Sequence, residues 1–119
     1  MSNVIGLAGT NSARCRRVKE YEIYVPLVAT DGQRFPAGPL SKLKKRLIAR
    51  FGGLTYSPQK NEGYWRVDKA TFYDEIIILR VISPNDAAAR AFWKSLKLEM
   101  QKDWRQKTVL IVCRDIKII

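Results

Sequence analysis

The sequence contains no histidine, and this absence excludes several kinds of chemistry. It rules out histidine general acid–base catalysis, a serine–histidine–aspartate triad, histidine metal sites and histidine-ligated haem. Only two cysteines occur, Cys15 and Cys113, and they fit no metal-binding spacing. We therefore expect no metal and no cofactor, and two reduced thiols, as is usual in the cytoplasm. The apolar run around Cys113 predicts that this thiol is a small buried side chain.

Long hydrophobic runs and acidic residues are also scarce. No apolar stretch approaches the roughly 20 residues that a membrane-spanning helix needs, so we expect no membrane partner. The chain has 11 acidic residues and 22 lysines and arginines, which gives a net charge of +11 over 119 residues. That excess favours anionic partners, although an ordinary solvated basic surface would give the same number. The length suits one domain with its own core.

The chain divides into an arm and a domain. Residues 1–18 are expected to form a flexible basic amino-terminal arm, and residues 19–119 a single domain. Helices are predicted from Pro39 to Gly52 and from Ser83, as the N-cap, to about Gln106. Strands are predicted at Tyr21–Ala29, Leu54–Ser57 with a continuation at Tyr64–Val67, Phe72–Ile82 and Thr108–Cys113.

This order of elements, βαββαβ, predicts an α+β ferredoxin-like fold with both helices on one face of an antiparallel sheet. The run from Asp74 to Ile82 is apolar on both sides, because alternate residues of a strand face opposite ways. Two helices cover only one side of a sheet. We therefore expect a homodimer that buries the other side, a dimeric α+β barrel. The alternative is that the arm or the loop at residues 58–63 covers that side.

Aromatic and charged side chains concentrate around the second and third strands. Such residues suit a pocket for an anionic or aromatic small ligand, or else they fill the dimer interface. Adjacent acids such as Asp74 and Glu75 point to opposite faces and cannot easily share a metal. The ligand-binding candidates are Tyr56, Tyr64, Trp65, Arg66, Tyr73, Glu75 and Arg80.

Basic side chains recur at helical spacing on the polar sides of both predicted helices. They could contact nucleic-acid phosphates without reading sequence, or they could simply be solvated. The nucleic-acid-binding candidates are Lys42, Lys45, Arg46, Arg50, Arg90, Lys94, Lys97 and Arg105.

Several short motifs resemble an uncharacterised family of short bacterial proteins. They are Gly53-Leu54-Thr55, Gly63-x-Trp65-Arg66, Asp74-Glu75 before an apolar strand, and Gln106-Lys107-Thr108-Val109. The resemblance covers residues 50–113 and implies no activity. It marks Thr55, Trp65, Arg66, Glu75 and Gln106 as residues to test.

Three functional hypotheses follow from these features. The leading one is a non-enzymatic homodimeric binding domain for an anionic or aromatic small ligand. One alternative is sequence-independent binding of nucleic acid, which would weaken steeply with salt. The other is a cofactor-independent enzyme that uses a dimer cavity, with Tyr56, Tyr64 or Glu75 handling a proton.

Overall fold

A computed structural model describes residues 15–27, 37–104 and 109–119. Four strands form one sheet in the order β2-β3-β1-β4, and every neighbouring pair is antiparallel. This order with two helices confirms the predicted α+β ferredoxin-like fold. The elements are β1 (Arg16–Pro26), α1 (Ala37–Phe51), β2 (Thr55–Val67), β3 (Ala70–Ser83), α2 (Ala87–Asp103) and β4 (Leu110–Ile118).

The strands are longer than predicted. β1 begins at Arg16, five residues before the predicted start at Tyr21, and residues 1–14 of the expected arm lie outside the described residues. β2 continues through Pro58 as one strand. Its pairing with β3 shifts register between Ser57 and Asn61, so Pro58 lies in a bulge. A bulge of this kind tolerates proline because the ladder is already interrupted there.

Helix α1 ends at Phe51, directly before the glycine pair Gly52-Gly53, as the sequence predicts. Leu43, Leu47 and Phe51 lie on one side of the helix and are buried. Gly52 has a φ of 86° and donates its backbone N–H to the carbonyl of Ile48 at 2.8 Å. That left-handed conformation closes the helix and favours glycine.

The predicted N-cap of α2 is wrong by three residues. Asp86, and not Ser83, occupies the cap, and its Oδ1 accepts the N–H of Ala89 at 2.8 Å. Ser83 is instead the last residue of β3, fully buried, with its hydroxyl donating to the carbonyl of Pro84. The helix therefore begins only once Asp86 can accept a first-turn N–H.

The core lies between the helices and one side of the sheet. Ile77 and Leu79 point into it, as the alternation in β3 predicts. At its centre the Trp93 ring stacks between Tyr21, at a centroid distance of 4.3 Å, and Phe51, at 5.2 Å. These three rings join β1, α1 and α2.

Two further observations concern exposure. Cys113 is exposed, so the prediction of a buried thiol is wrong; β4 is an edge strand, and its outer side has no neighbouring strand in the described sheet. Within the described residues, neither helix is both long and apolar enough to cross a membrane.

Candidate functional site

A two-stranded ribbon projects beyond the rest of the sheet. The last pair between β1 and β3 joins Pro26 to Ile76, whereas β2 and β3 remain paired to the turn between them. That turn includes Asp68, whose φ of 55° lies in the left-handed region. We name residues 61–76 the ribbon. Both of its faces are available to solvent over most of their length.

Two carboxylates and two tyrosines lie on one face of the ribbon. Glu62 is paired with Glu75, and Tyr64 is paired with Tyr73. Tyr73 and Glu75 precede the core residue Ile77 by four and two residues along β3, and residues two apart in a strand point the same way, so this face continues the helix side of the sheet. We name Glu62, Tyr64, Tyr73 and Glu75 the ribbon cluster.

The two carboxylates of the ribbon cluster have different partners within the chain. The Tyr64 hydroxyl donates to Oε2 of Glu62 at 3.2 Å, and the rings of Tyr64 and Tyr73 lie 5.3 Å apart, tilted by 55°. Oε2 of Glu75 is shielded from solvent and accepts no hydrogen bond from the described residues. Lys60 Nζ lies 3.5 Å from that oxygen and forms an ion pair with it. Lys60 therefore balances the charge of this carboxylate without a hydrogen bond of good geometry.

The charge of the ribbon cluster opposes that of the whole protein. The hydrogen bond to Glu62, followed by the charge of that carboxylate, raises the pKa of Tyr64 above its ordinary value. Burial raises the pKa of Tyr73, and the charges of Glu75 and Glu62 raise it further. On this face the carboxylates of Glu62 and Glu75 lie near two cationic groups, Lys60, which pairs with Glu75, and Arg66, which follows Tyr64 by two residues. The two carboxylates are the part of this face that could bind a small cation.

The opposite face of the ribbon is organised around Trp65. Its Nε1–H donates to Oδ2 of Asp74 at 2.6 Å, and its ring lies beside Gly63, where a side chain would meet it. Phe72, the cross-strand neighbour of Trp65, is 54% exposed. The indole N–H is therefore engaged within the chain and is not free to bind a ligand.

A charged network lies at the centre of the sheet on the side away from the helices, which we name the open face. Glu22 accepts hydrogen bonds from Nε of Arg80, at 2.7 Å, and from Nη2 of Arg114. Nη1 of Arg114 also donates to Glu20 at 3.0 Å. The Glu22 side chain is only 5% exposed, since a guanidinium group reaches it from each neighbouring strand. We name Glu20, Glu22, Arg80 and Arg114 the open-face network.

The structure brings together three of the seven predicted ligand residues. Tyr64, Tyr73 and Glu75 meet in the ribbon cluster, and Glu62, which pairs with Glu75, joins them there. These residues come from two strands. Their proximity depends on the register of β2 against β3.

The other four ligand candidates lie elsewhere. Arg80 belongs to the open-face network, and Trp65 lies on the ribbon face opposite the cluster. Tyr56 lies beneath Lys44, whose Nζ is 3.4 Å from the ring centroid. Arg66 lies on the same face of the ribbon as the cluster, one row nearer the tip than Tyr64, and is exposed. A single pocket containing all seven residues is not formed by one chain.

The predicted basic residues lie on the outer sides of the helices. The guanidinium groups of Arg46 and Arg50 lie over the ring of Phe92, at 5.2 Å and 4.9 Å, and Arg46 also pairs with Glu99. A groove of about 660 Å³ opens beside them, between α1 and the start of α2. Arg105 and Gln106 fall outside the described residues. The exposed basic candidates are Lys42, Lys45, Arg46, Arg50, Arg90, Lys94 and Lys97.

Sequence reasoning missed Glu20, Glu22 and Arg114. Glu20 and Glu22 alternate with apolar residues along β1, which indicates only that they face away from the core. Their partners come from β3 and β4, so the network becomes visible only once the strand order is known. In the part of the chain that the structure describes, no group of three or more acidic or cysteine side chains could hold a metal ion.

No protein-family model matches this chain, and no curated protein sequence matches it. Among solved structures, its fold is similar to that of a phage SAM lyase in complex with S-methyl-5'-thioadenosine, with a TM-score of 0.60 and 12% sequence identity. The match covers 85% of this chain and 88% of that chain. At 12% sequence identity, this likeness shows a similar fold and nothing further. Because this neighbour is an enzyme, it contradicts the prediction of a non-enzymatic binding domain.

Proposed function

We propose that this protein is an enzyme that cleaves SAM (S-adenosylmethionine), or a closely related sulfonium compound, and releases S-methyl-5'-thioadenosine. The proposal is supported by the likeness in fold to a SAM lyase over most of both chains. A fold alone does not specify an activity. The single observation that locates a substrate site on this chain is the ribbon cluster, whose carboxylates and aromatic rings suit a sulfonium cation.

The ribbon cluster offers two kinds of group that bind a cation. The carboxylates of Glu62 and Glu75, which pair across the ribbon, supply negative charge. The rings of Tyr64 and Tyr73 are 63% and 51% exposed, so a sulfonium centre or an adenine ring can lie against them. A sulfonium centre bound against these rings lies beside the two carboxylates, although the protein as a whole carries a net charge of +11.

The chemistry needs one bond of the substrate to break. When the bond between sulfur and the aminobutyrate carbon breaks, its electron pair stays on sulfur, and the positive sulfonium becomes a neutral thioether. The carbon then forms a new bond within the same molecule. Either the substrate's own carboxylate oxygen attacks it and gives a lactone, or the neighbouring carbon loses a proton and an alkene forms. Neither route consumes water or requires an oxidant.

Glu75 has a defined part in each route. In the elimination its carboxylate accepts the proton from the neighbouring carbon. In the displacement no proton leaves carbon, and Glu75 only positions the cation. The two routes therefore differ in their second product, an unsaturated amino acid or a lactone, although both release the same thioether.

The experiment is to incubate the purified full chain with SAM and to separate the products by chromatography with mass detection. We expect S-methyl-5'-thioadenosine to form faster than in a matched sample without protein, which corrects for spontaneous breakdown of SAM. The Glu75→Gln variant should lower the rate by about a hundredfold or more if Glu75 is the base. Glu99→Gln is the matched control, because Glu99 is a carboxylate on α2 that pairs with Arg46, outside the ribbon. Its rate should equal that of the unchanged protein.

A second pair of variants separates the role of the Tyr64 ring from that of its hydroxyl. Tyr64→Phe retains the ring, and Tyr64→Ala removes it. If the ring binds the cation, Tyr64→Ala should raise KM by about two- to fivefold and Tyr64→Phe should leave KM unchanged. Thioether formation no faster than in the sample without protein would reject the proposed reaction. A normal rate in Glu75→Gln would instead remove Glu75 from the chemistry.

A further inference from the structure

The open face presents an arrangement that the proposed reaction does not use. Its central rows run across the sheet in register, with Glu22 lying between Arg80 and Val112 and Tyr24 between Ile78 and Leu110. The side chains on this face point away from both helices, because they alternate with the core residues of β1 and β3.

Apolar side chains surround the open-face network. Ile78, Ile82, Val112 and Ile116 are all half-buried, and Leu110 is 37% exposed. An antiparallel sheet that faces water on one side usually carries polar residues there, and these isoleucines and valines depart from that pattern. An apolar sheet surface of this kind is typical of one that packs against another layer.

The charges of the open-face network cancel. Two carboxylates, Glu20 and Glu22, are balanced by two guanidinium groups, Arg80 and Arg114, and each of the four takes part in a hydrogen bond within the set. The chain as a whole carries +11, and the outer sides of the helices are basic, so two copies repel each other over most orientations. At the centre of the open face this repulsion is absent.

We propose that the open face docks a second copy of this chain, and that the open-face network fixes the orientation of the two sheets. Two apolar layers slide easily over one another, whereas opposite charges at the centre of each layer prefer one alignment. A negatively charged partner is disfavoured, because the guanidinium groups of this face are already paired. The occupant that the charge pattern suits is therefore a surface like itself.

The test is the mass of the full chain in solution, measured by light scattering after size-exclusion chromatography. We expect a mass of at least twice the 13.7 kDa of one chain. The association should persist or strengthen from about 0.1 M to about 1 M salt, because salt screens the repulsion between the basic surfaces and the paired charges need no counterion. A complex with residual nucleic acid would dissociate over the same range.

Matched substitutions locate the interface. Leu110→Lys places a charge on the open face, and Leu98→Lys places the same charge on α2, where Leu98 is 67% exposed. Leu110→Lys should weaken the association by about tenfold or more, whereas Leu98→Lys should not change it. Far-UV circular dichroism and thermal unfolding confirm that both variants are folded.

Two outcomes overturn the proposal. A single-chain mass for the unchanged protein at every concentration would mean that no second copy docks on the open face. Equal association of the Leu110→Lys and Leu98→Lys variants would place the interface elsewhere. Neither result depends on whether the protein cleaves SAM, so this proposal and the proposed function are tested separately.

Discussion

Tyr64 donates its hydroxyl to Oε2 of Glu62 at 3.2 Å, on the same face of the ribbon as Glu75. A phenol that donates to a carboxylate loses its proton less easily, because the phenolate would face that negative charge. The pKa of Tyr64 is therefore raised. The stabilising contact is present below the ordinary tyrosine pKa of about 10, and it is lost as the pH rises through the raised pKa of Tyr64.

The Glu62→Gln variant should lower the pKa of Tyr64 toward its ordinary value. The amide still accepts a hydrogen bond but carries no charge. Ultraviolet difference absorbance of tyrosinate, recorded between neutral and alkaline pH, measures this change. The Tyr64→Phe variant removes the Tyr64 contribution and so identifies it among the five tyrosines. An identical titration in Glu62→Gln would contradict a contribution of the Glu62 charge to the raised pKa of Tyr64.

The two carboxylates of the open-face network should contribute unequally to stability. Glu22 is buried between two guanidinium groups, whereas the side chain of Glu20 is 22% exposed and pairs with Arg114 alone. Glu22→Gln should lower the free energy of unfolding by about 1–3 kcal/mol, because it weakens two charged hydrogen bonds. Glu20→Gln should cost less than about 1 kcal/mol. Urea denaturation of both variants at one pH measures the difference, and equal losses would contradict it.

Two glycines should respond oppositely to alanine. Gly52 has a φ of 86°, where a β-carbon is strained, so Gly52→Ala should cost about 1–2 kcal/mol. Gly63 does not have a positive φ, and its added β-carbon would lie 3.4 Å from the Trp65 ring, an ordinary contact. Gly63→Ala should be neutral or stabilise by up to about 1 kcal/mol, because it restricts the unfolded chain. Thermal unfolding of the pair tests both, and destabilisation by Gly63→Ala would mean that the ribbon cannot accommodate the methyl group.

The position of the α2 cap gives a further matched pair. Asp86→Ala removes the acceptor for the N–H of Ala89 and should cost about 1 kcal/mol, whereas Asp86→Asn should cost little, because asparagine caps about as well. Denaturant unfolding of the two variants measures the difference. A similar loss in both would indicate that the charge of Asp86, and not its hydrogen bond, stabilises the helix.

The fold could be read from the sequence largely because its signals are local. The alternation in β3 predicted a strand with apolar residues on both sides, and Gly52 predicted the end of α1, whereas only the structure shows that Ile77 and Leu79 face the helices. The start of α2 was misplaced because both Ser83 and Asp86 are good caps, and only the length of β3 decides between them. Cys113 was predicted to be buried because an apolar run does not reveal that its strand lies at an edge.

The candidate site was less accessible to sequence reasoning. Tyr64, Tyr73 and Glu75 were named as ligand candidates from composition alone, together with Tyr56 and Trp65, which lie elsewhere. What separates these groups is the pairing of β2 with β3 and the bulge between Ser57 and Asn61. A shift of one residue in that register would move every side chain of one strand to the opposite face.

The sequence by itself determined the order of the strands and helices and the two-sided apolar character of β3, because these depend on the spacing of residues along the chain. Only the tertiary structure decided which charged groups meet. Glu22 lies 58 residues from Arg80 and 92 from Arg114, and the three become neighbours because β1 lies between β3 and β4. The ribbon cluster likewise exists because β2 and β3 continue to pair beyond the end of β1. Contacts between distant residues arise from strand order and register, which no local pattern specifies.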